Sequence, residues 1–382
     1  MALLLLLLLL LLLLLCLAAP AAAAAESEPS SRPPATALFV LGDSTVSCAA
    51  TTLPINLTAP SLSTGPCLFP STRRPLPDLL AAKMRLPSPP LVSTLNGTAA
   101  AVSKGVNFGG GGQYGVGGVF RVGAAVGQQV RVAAETLQLM QLEMAAEDSA
   151  AAAVFVLSFG ADAYARLLAR GPPAAAAVAA PKHGRRGLGR ILADRIVRSV
   201  SELYEAGVRR VAVMGVAPLG CAPRVMWEGM RVQVMNSYNN GGSGSGSRSS
   251  SCVEEANELI QGYNARVAAG LDDLRARLPD ADIVFCDVYK GVMEIISTPT
   301  RYGFEEAREA CCGLGPFRAS MGCFSKEMAC RSPERHVWWD LYSPTEAVDA
   351  LVANWSWSMS PGSQLSICSP MALHQLAGSS SA

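Results

Sequence analysis

An α/β fold, a mostly parallel sheet with helices on both faces, is the class the sequence predicts, and two patterns predict it. Short β-rich runs at residues 37–41, 106–108, 154–158, 208–214 and 283–286 read as strands. Between them lie longer stretches of helical period, and strand-helix-strand order repeated in this way argues for a sheet covered on both faces. The helices follow from spacing. Val126, Val130, Ala133, Leu137, Met140 and Met144 recur at intervals of four and three, which lines one helix face. Ile191, Ile196, Val200 and Leu203 mark a second helix, and Leu259, Tyr263, Val267, Leu271, Leu274 and Leu278 a third. In such sheets the functional site lies at the carboxyl ends of the strands. Gly42-Asp43-Ser44 follows directly on the first strand, where chemistry is expected.

The chain of 382 residues opens with an unbroken leucine run, Leu3 to Leu15, and an alanine-rich stretch ending at Ala25. This reads as a signal peptide with small-residue cleavage sites near residues 23–25. No lysine or arginine precedes the run, and its length approaches the ~18 residues that span a bilayer, so an uncleaved signal anchor is the alternative. Residues 1–25 are set apart as leader, and residues 26–382 read as a single secreted domain, extracellular or in the cell wall, and monomeric. Lysine and arginine (31) nearly balance aspartate and glutamate (30). That balance gives no electrostatic case for nucleic acid, nor for a membrane unless the leader is retained. The partner is expected to be small or neutral.

Of eleven cysteines, one lies in the leader. The others are Cys48, Cys67, Cys221, Cys252, Cys286, Cys311, Cys312, Cys323, Cys330 and Cys368, an even set that reads as disulfides of open connectivity in a secreted chain. No CxxC pair occurs and histidines number three, so no metal or cofactor is expected. Asn56, Asn96 and Asn354 are glycosylation acceptors suited to the same compartment. Two stretches read as surface insertions: residues 171–190, rich in Ala, Pro and Arg, and 239–251, "NNGGSGSGSRSSS", which is expected to be a mobile loop.

A serine on a turn after a strand can be a nucleophile, but it needs a base to take its proton; alone, Gly-Asp-Ser reads first as a polar turn. Its surroundings alter the balance. "FVLGDST" (39–45), "GVNFGGGG" (105–112), "VFVLSFGADAY" (154–164), "LYEAGVRRVAVMGVAPLGCAP" (203–223), "CCGLG" (311–315) and "WWDLYSPTEA" (338–347) occur in order. Over nearly all of its mature length the chain resembles the plant-type GDSL esterase/lipases, a branch of the SGNH hydrolases. The resemblance implies a flavodoxin-like three-layer α/β/α fold and hydrolysis of acyl esters through an acyl-enzyme. It also implies an oxyanion hole made by the nucleophile's backbone N–H, a glycine N–H and an asparagine side chain.

Carried onto this chain, the resemblance places Ser44 as nucleophile and Gly112 as the oxyanion glycine. The asparagine position holds Asp162; losing one such donor costs roughly 3 to 4 kcal/mol, and an acid can donate only when neutral. The reading favoured for Asp162 is therefore a cap on the helix starting there. The last block normally reads Asp-X-X-His-Pro, the histidine being the base. Here it reads Asp340-Leu341-Tyr342-Ser343-Pro344. A serine hydroxyl cannot accept a proton near neutral pH, and loss of a triad member costs on the order of 10⁴ to 10⁶ in turnover. Asp340 then has no imidazole to orient and is expected to bond backbone or hydroxyl groups. His336, His374 and His183 are the other histidines, each with a surface or structural role as the alternative to a relocated base.

Trp338 and Trp339 read as core or pocket wall before a sugar platform, and Asp287 as a weak alternative acid. Cys221 is placed to pair with Cys252 across the loop, and Cys311 and Cys312 with Cys323 and Cys330. Two functions of different class follow: an impaired esterase or lipase, or a non-catalytic pseudo-hydrolase binding an acylated lipid or cell-wall carbohydrate.

Overall fold

Strands β1 (Leu38–Gly42), β2 (Val154–Ser158) and β3 (Arg210–Met214) are buried at every position, and β4 (Asp282–Cys286) at all but its first. Burial on both faces is what a parallel sheet under two helical layers demands. The computed structural model describes residues 33–47, 74–95, 97–109, 120–144, 149–168, 185–239, 252–323, 325–358 and 365–379. The leader, Cys48, Cys67, Asn56, Asn96, Gly112, His183 and residues 240–251 of the expected mobile loop lie outside them.

Along the chain the longer helices are α1 (Leu76–Lys83), α2 (Phe120–Met144), α3 (Ala161–Leu168), α4 (Arg185–Glu205), α5 (Pro223–Asn239), α6 (Glu254–Arg277), α7 (Val288–Ser297) and α8 (Glu346–Trp357). Strands β5 (Glu306–Ala310) and β6 (His336–Trp338) form a separate two-stranded sheet. The main sheet has the order β1-β2-β3-β4, all parallel, closed by the short antiparallel β7 (Cys368–Ser369). Helices α2, α4 and α6 pack side by side, while α1, α7 and α8 form a second group, giving the three-layer α/β/α arrangement. Between the layers, Phe39 stacks on Phe155 with ring centroids 4.8 Å apart.

The run at 106–108 is not a regular strand. It lies along β1 through a single parallel bridge, Val40 to Asn107, with Val40 N–H donating to Val106 O (2.9 Å) and Phe108 N–H to Val40 O (2.8 Å). One further hydrogen bond continues backwards, Leu38 N–H to Lys104 O (3.2 Å), past Gly105, whose φ of +113° and close approach leave no room for a side chain: a Cβ there would sit 1.8 Å from the Leu38 carbonyl oxygen. Counted in place, this segment completes the 2-1-3-4-5 order of flavodoxin-like sheets.

The helix spacings hold with one change of phase. Val126, Val130, Ala133, Leu137 and Met140 are buried on α2, and Tyr263, Val267, Leu271 and Leu274 on α6. On α4 the buried row is Leu188, Leu192, Ile196, Val200 and Leu203, and Ile191 stands 43 % exposed, one position off that row. Helix α4 also begins at Arg185, inside the stretch expected to be an insertion. Gly187 and Gly189 weaken its helical signal, yet a Cβ at Gly189 would lie 3.0 Å from the Tyr164 hydroxyl, so a small residue lets the helix approach.

Disulfides link Cys221 to Cys252, Cys311 to Cys330 and Cys312 to Cys323. A fourth, Cys286 to Cys368, joins the facing residues of β4 and β7 across 82 positions. On the loop-entropy account, closing a span of that length stabilises by about 4 kcal/mol, against about 3 kcal/mol for the 11-residue Cys312–Cys323 span. Changing Cys286 and Cys368 to serine is therefore expected to lower the urea midpoint more than the same change at Cys312 and Cys323. Among the described residues no helix is long and apolar enough to cross a membrane. Asn354 is exposed on α8.

Candidate active site

The turn after β1 is fixed by buried side chains around it. Gln129, buried on α2, accepts from Gly42 N–H (2.8 Å) and donates to Gly42 O (2.9 Å). The next residue, Asp43, receives four donors: Thr45 N–H (3.2 Å), the Thr45 hydroxyl (2.9 Å), Gly160 N–H (2.9 Å) and Asp162 N–H (3.1 Å). One carboxylate thus caps both the 3-10 turn at Ser44–Val46 and the start of α3. Asn107 closes the turn from below, donating to Val46 O (2.7 Å) and accepting from Gly109 N–H (2.8 Å). The following strands end on similar clamps. The Tyr263 hydroxyl donates to Phe159 O (2.8 Å), and Asn264 accepts from Val216 N–H and donates to Val216 O, both at 2.9 Å.

Ser44 sits at the head of this turn, and its hydroxyl donates to Oδ1 of Asp162. Its backbone N–H faces Oδ2 of the same carboxylate at 3.4 Å. Asp162 lies in the first turn of α3, but the cap on that helix is Asp43 and not Asp162, because the Asp162 carboxylate is turned toward Ser44. Both N–H and O–H of the serine therefore face one side chain. Asp43 is buried behind the pair; desolvation first and the Asp162 charge second push its carboxyl up to about 7, against the opposing pull of its hydrogen bonds.

The segment before α8 brings the other block to the same place. Asp340 Oδ1 accepts from Tyr342 N–H (3.1 Å) and Ser343 N–H (2.8 Å), forming a tight turn, and Trp339 N–H donates to Ser343 O (2.8 Å). The Tyr342 hydroxyl reaches Ala165 O of α3 at 3.4 Å. Ser44, Asp162 and Ser343 then line one cavity of about 70 Å³, with Tyr342, Asp349 and apolar residues such as Val292 and Val352 completing the wall.

Asp340 is outside that lining, and so are both described histidines. His336 on β6 has Nδ1 3.2 Å from Ser332 O, and His374 has Nδ1 2.6 Å from Trp357 O. Asp287 caps α7 by accepting from Lys290 N–H (3.0 Å). Trp338 is fully buried with its indole N–H on Ala307 O (3.1 Å), and Trp339 packs among the Cys311, Cys312 and Cys323 sulfurs, so both are core residues. Among the described residues no group of three or more His, Cys, Asp or Glu side chains is placed to hold a metal ion.

Three polar residues of the site escaped sequence reasoning. Gln129 falls on the core-facing row of α2, three residues from Val126 and four from Ala133, and a polar residue in an apolar row was the available signal. Asp43 was passed over beside Ser44. Asp349, buried on α8, lines the cavity.

A family model for GDSL-like lipases and acylhydrolases matches residues 38–356. Among curated proteins of Arabidopsis thaliana, GDSL esterase/lipase At1g71250 is 26 % identical over 288 residues, 72 % of this chain and 70 % of the relative. GDSL esterase/lipase EXL3 is 32 % identical over 157 residues, 41 % of this chain and 39 % of the relative. GDSL esterase/lipase At2g30220 is 30 % identical over 164 residues, 41 % of this chain and 42 % of the relative.

Proposed function

The chain belongs to the GDSL-like lipase/acylhydrolase family, and from that premise we propose a secreted, slow hydrolase of acyl esters acting through Ser44. The observation that carries this reading is the contact of the Ser44 hydroxyl with Asp162 in a cavity whose remaining family position is Ser343. The nucleophile is in place at a strand end, and the pocket wall is apolar enough for an acyl chain. The imidazole that would take its proton is missing, and one oxyanion donor has become an acceptor. Each loss lowers turnover, by roughly 10² to 10³ for the donor and more for the base. The leader and the disulfides support export, and Asn56, Asn96 and Asn354 are the acceptors expected to carry glycans there.

The test compares the mature chain with Ser44→Ala on p-nitrophenyl butyrate and octanoate. Slow turnover that disappears in Ser44→Ala is the expected result. Equal background rates in both proteins would replace hydrolysis with the second reading, a pocket that binds an acylated lipid or cell-wall carbohydrate without cleaving it.

A further inference from the structure

We propose that Asp162 is the base that takes the proton of Ser44, so that hydrolysis in this chain runs on a serine–carboxylate pair; the inference rests on the hydrolase reading above. The Ser44 hydroxyl already donates to Asp162 Oδ1, which is the geometry a general base requires. Among the described residues no histidine lines the cavity, and Nδ1 of His336 and of His374 faces a backbone carbonyl elsewhere. Asp162 is held in position from behind, since its backbone N–H donates to Asp43 at 3.1 Å at the head of α3. Two carboxyl groups packed this closely repel when both are ionised, so the pair favours holding one proton between them. With Asp43 ionised, the proton that Ser44 delivers is that one, and its arrival relieves the repulsion.

The step balances without any group from outside the cavity except ester and water. The Ser44 oxygen bonds to the acyl carbon, its proton passes to Asp162 Oδ1, and the carbonyl electron pair moves onto the carbonyl oxygen. Collapse breaks the ester C–O bond, and the leaving alcohol takes the proton back from Asp162. In the second half water gives a proton to Asp162 and its oxygen to the acyl carbon. The Ser44 oxygen then leaves with the proton, freeing the carboxylic acid. A carboxylate is a weaker base than imidazole, which accounts for a slow enzyme and not an inert one. The charged and titratable groups around Asp162 are Asp43 behind it and Asp349 and Tyr342 on the cavity wall. Beyond Tyr342 stand Asp340 and Arg224, the latter paired with Glu228 at 2.7 Å.

The experiment measures kcat/KM for p-nitrophenyl butyrate from acid to neutral pH, with product read after alkalinisation, for the mature chain and for Ser44→Ala, Asp162→Asn and Asp162→Glu. Thermal melts run alongside to establish that each variant is folded. Asp162→Asn is expected to lose about a hundredfold, and Asp162→Glu to keep part of the rate. The parent protein should hold its rate into acid conditions where an imidazole would already be protonated. If Asp162→Asn, folded, turns over as fast as the parent or faster while Ser44→Ala does not, the base is another group and this inference alone falls. If parent and Ser44→Ala share the same background rate, the hydrolase reading falls and takes the inference with it.

Discussion

Ser343→His combined with Asp162→Asn is expected to raise kcat/KM on a p-nitrophenyl ester at least a hundredfold above the parent chain. The first change supplies an imidazole at a position that already lines the cavity with Ser44. Asp340 is poised to hold it, because its carboxylate is fixed by the N–H groups of Tyr342 and Ser343, two and three residues downstream. The second change removes a negative oxygen from the Ser44 N–H and returns an amide donor to the oxyanion. Restoring a general base is worth typically 10² to 10⁴ and restoring a donor roughly 10² to 10³, so a hundredfold gain allows for imperfect geometry. Neither single change should suffice. Ser343→His alone leaves the Asp162 charge where the oxyanion forms, and Asp162→Asn alone leaves no base. A double variant no faster than the parent would mean that the pocket has diverged beyond these two side chains.

Asp43 should make the fold less stable as the pH rises toward neutrality. Its carboxyl is pushed up to about 7 in the folded protein against 3.8 for an ordinary aspartate, so between these values the folded chain binds a proton that the unfolded chain has released. The stabilising contribution is whole below about pH 4 and is lost as the pH climbs through about 7. A difference of this size corresponds to roughly 4 kcal/mol between the two ends of the window. Asp162→Asn removes the charge that is the second cause of the shift while leaving burial, the first. The variant is expected to gain stability at neutral pH and to match the parent near pH 4 within a few tenths of a kcal/mol. Urea unfolding at the two pH values tests this, and an equal offset at both would remove the electrostatic explanation.

The sheet was legible because its signal is local. Runs such as 154–157 are apolar throughout, and the α2 and α6 rows repeat over many turns, so tertiary packing had nothing to override. Legibility failed where a residue's conformation depends on a distant partner. The segment at 106–108 has the composition of a strand but makes only isolated bridges, from Asn107 to Val40 and to Leu91, and the early start of α4 is obscured by two glycines in a helix that packing stabilises. The site divides in the same way. Ser44 and Ser343 were placed by their blocks, whereas the partner of Asp162 was not readable. Whether an acid in the first turn of a helix caps that turn or faces another loop depends on who else can supply the cap. Here Asp43 supplies it from 119 positions away in sequence, and only the folded chain brings the two together. The Cys286–Cys368 link was hidden for the same reason, since β7 has just two residues to announce it.

The clamps at the strand ends carry a consequence for the history of such a site. Gln129, Tyr263 and Asn264 grip main-chain atoms of Gly42, Phe159 and Val216 from helices behind the sheet. None of them is a group that must touch a substrate. The loops are consequently shaped by residues other than those that perform the reaction, and selection can act on the two sets separately. A lineage can exchange the side chains at positions 162 and 343 while its architecture stays whole. By the same separation, a change of chemistry at these positions needs only a few substitutions and not a new backbone.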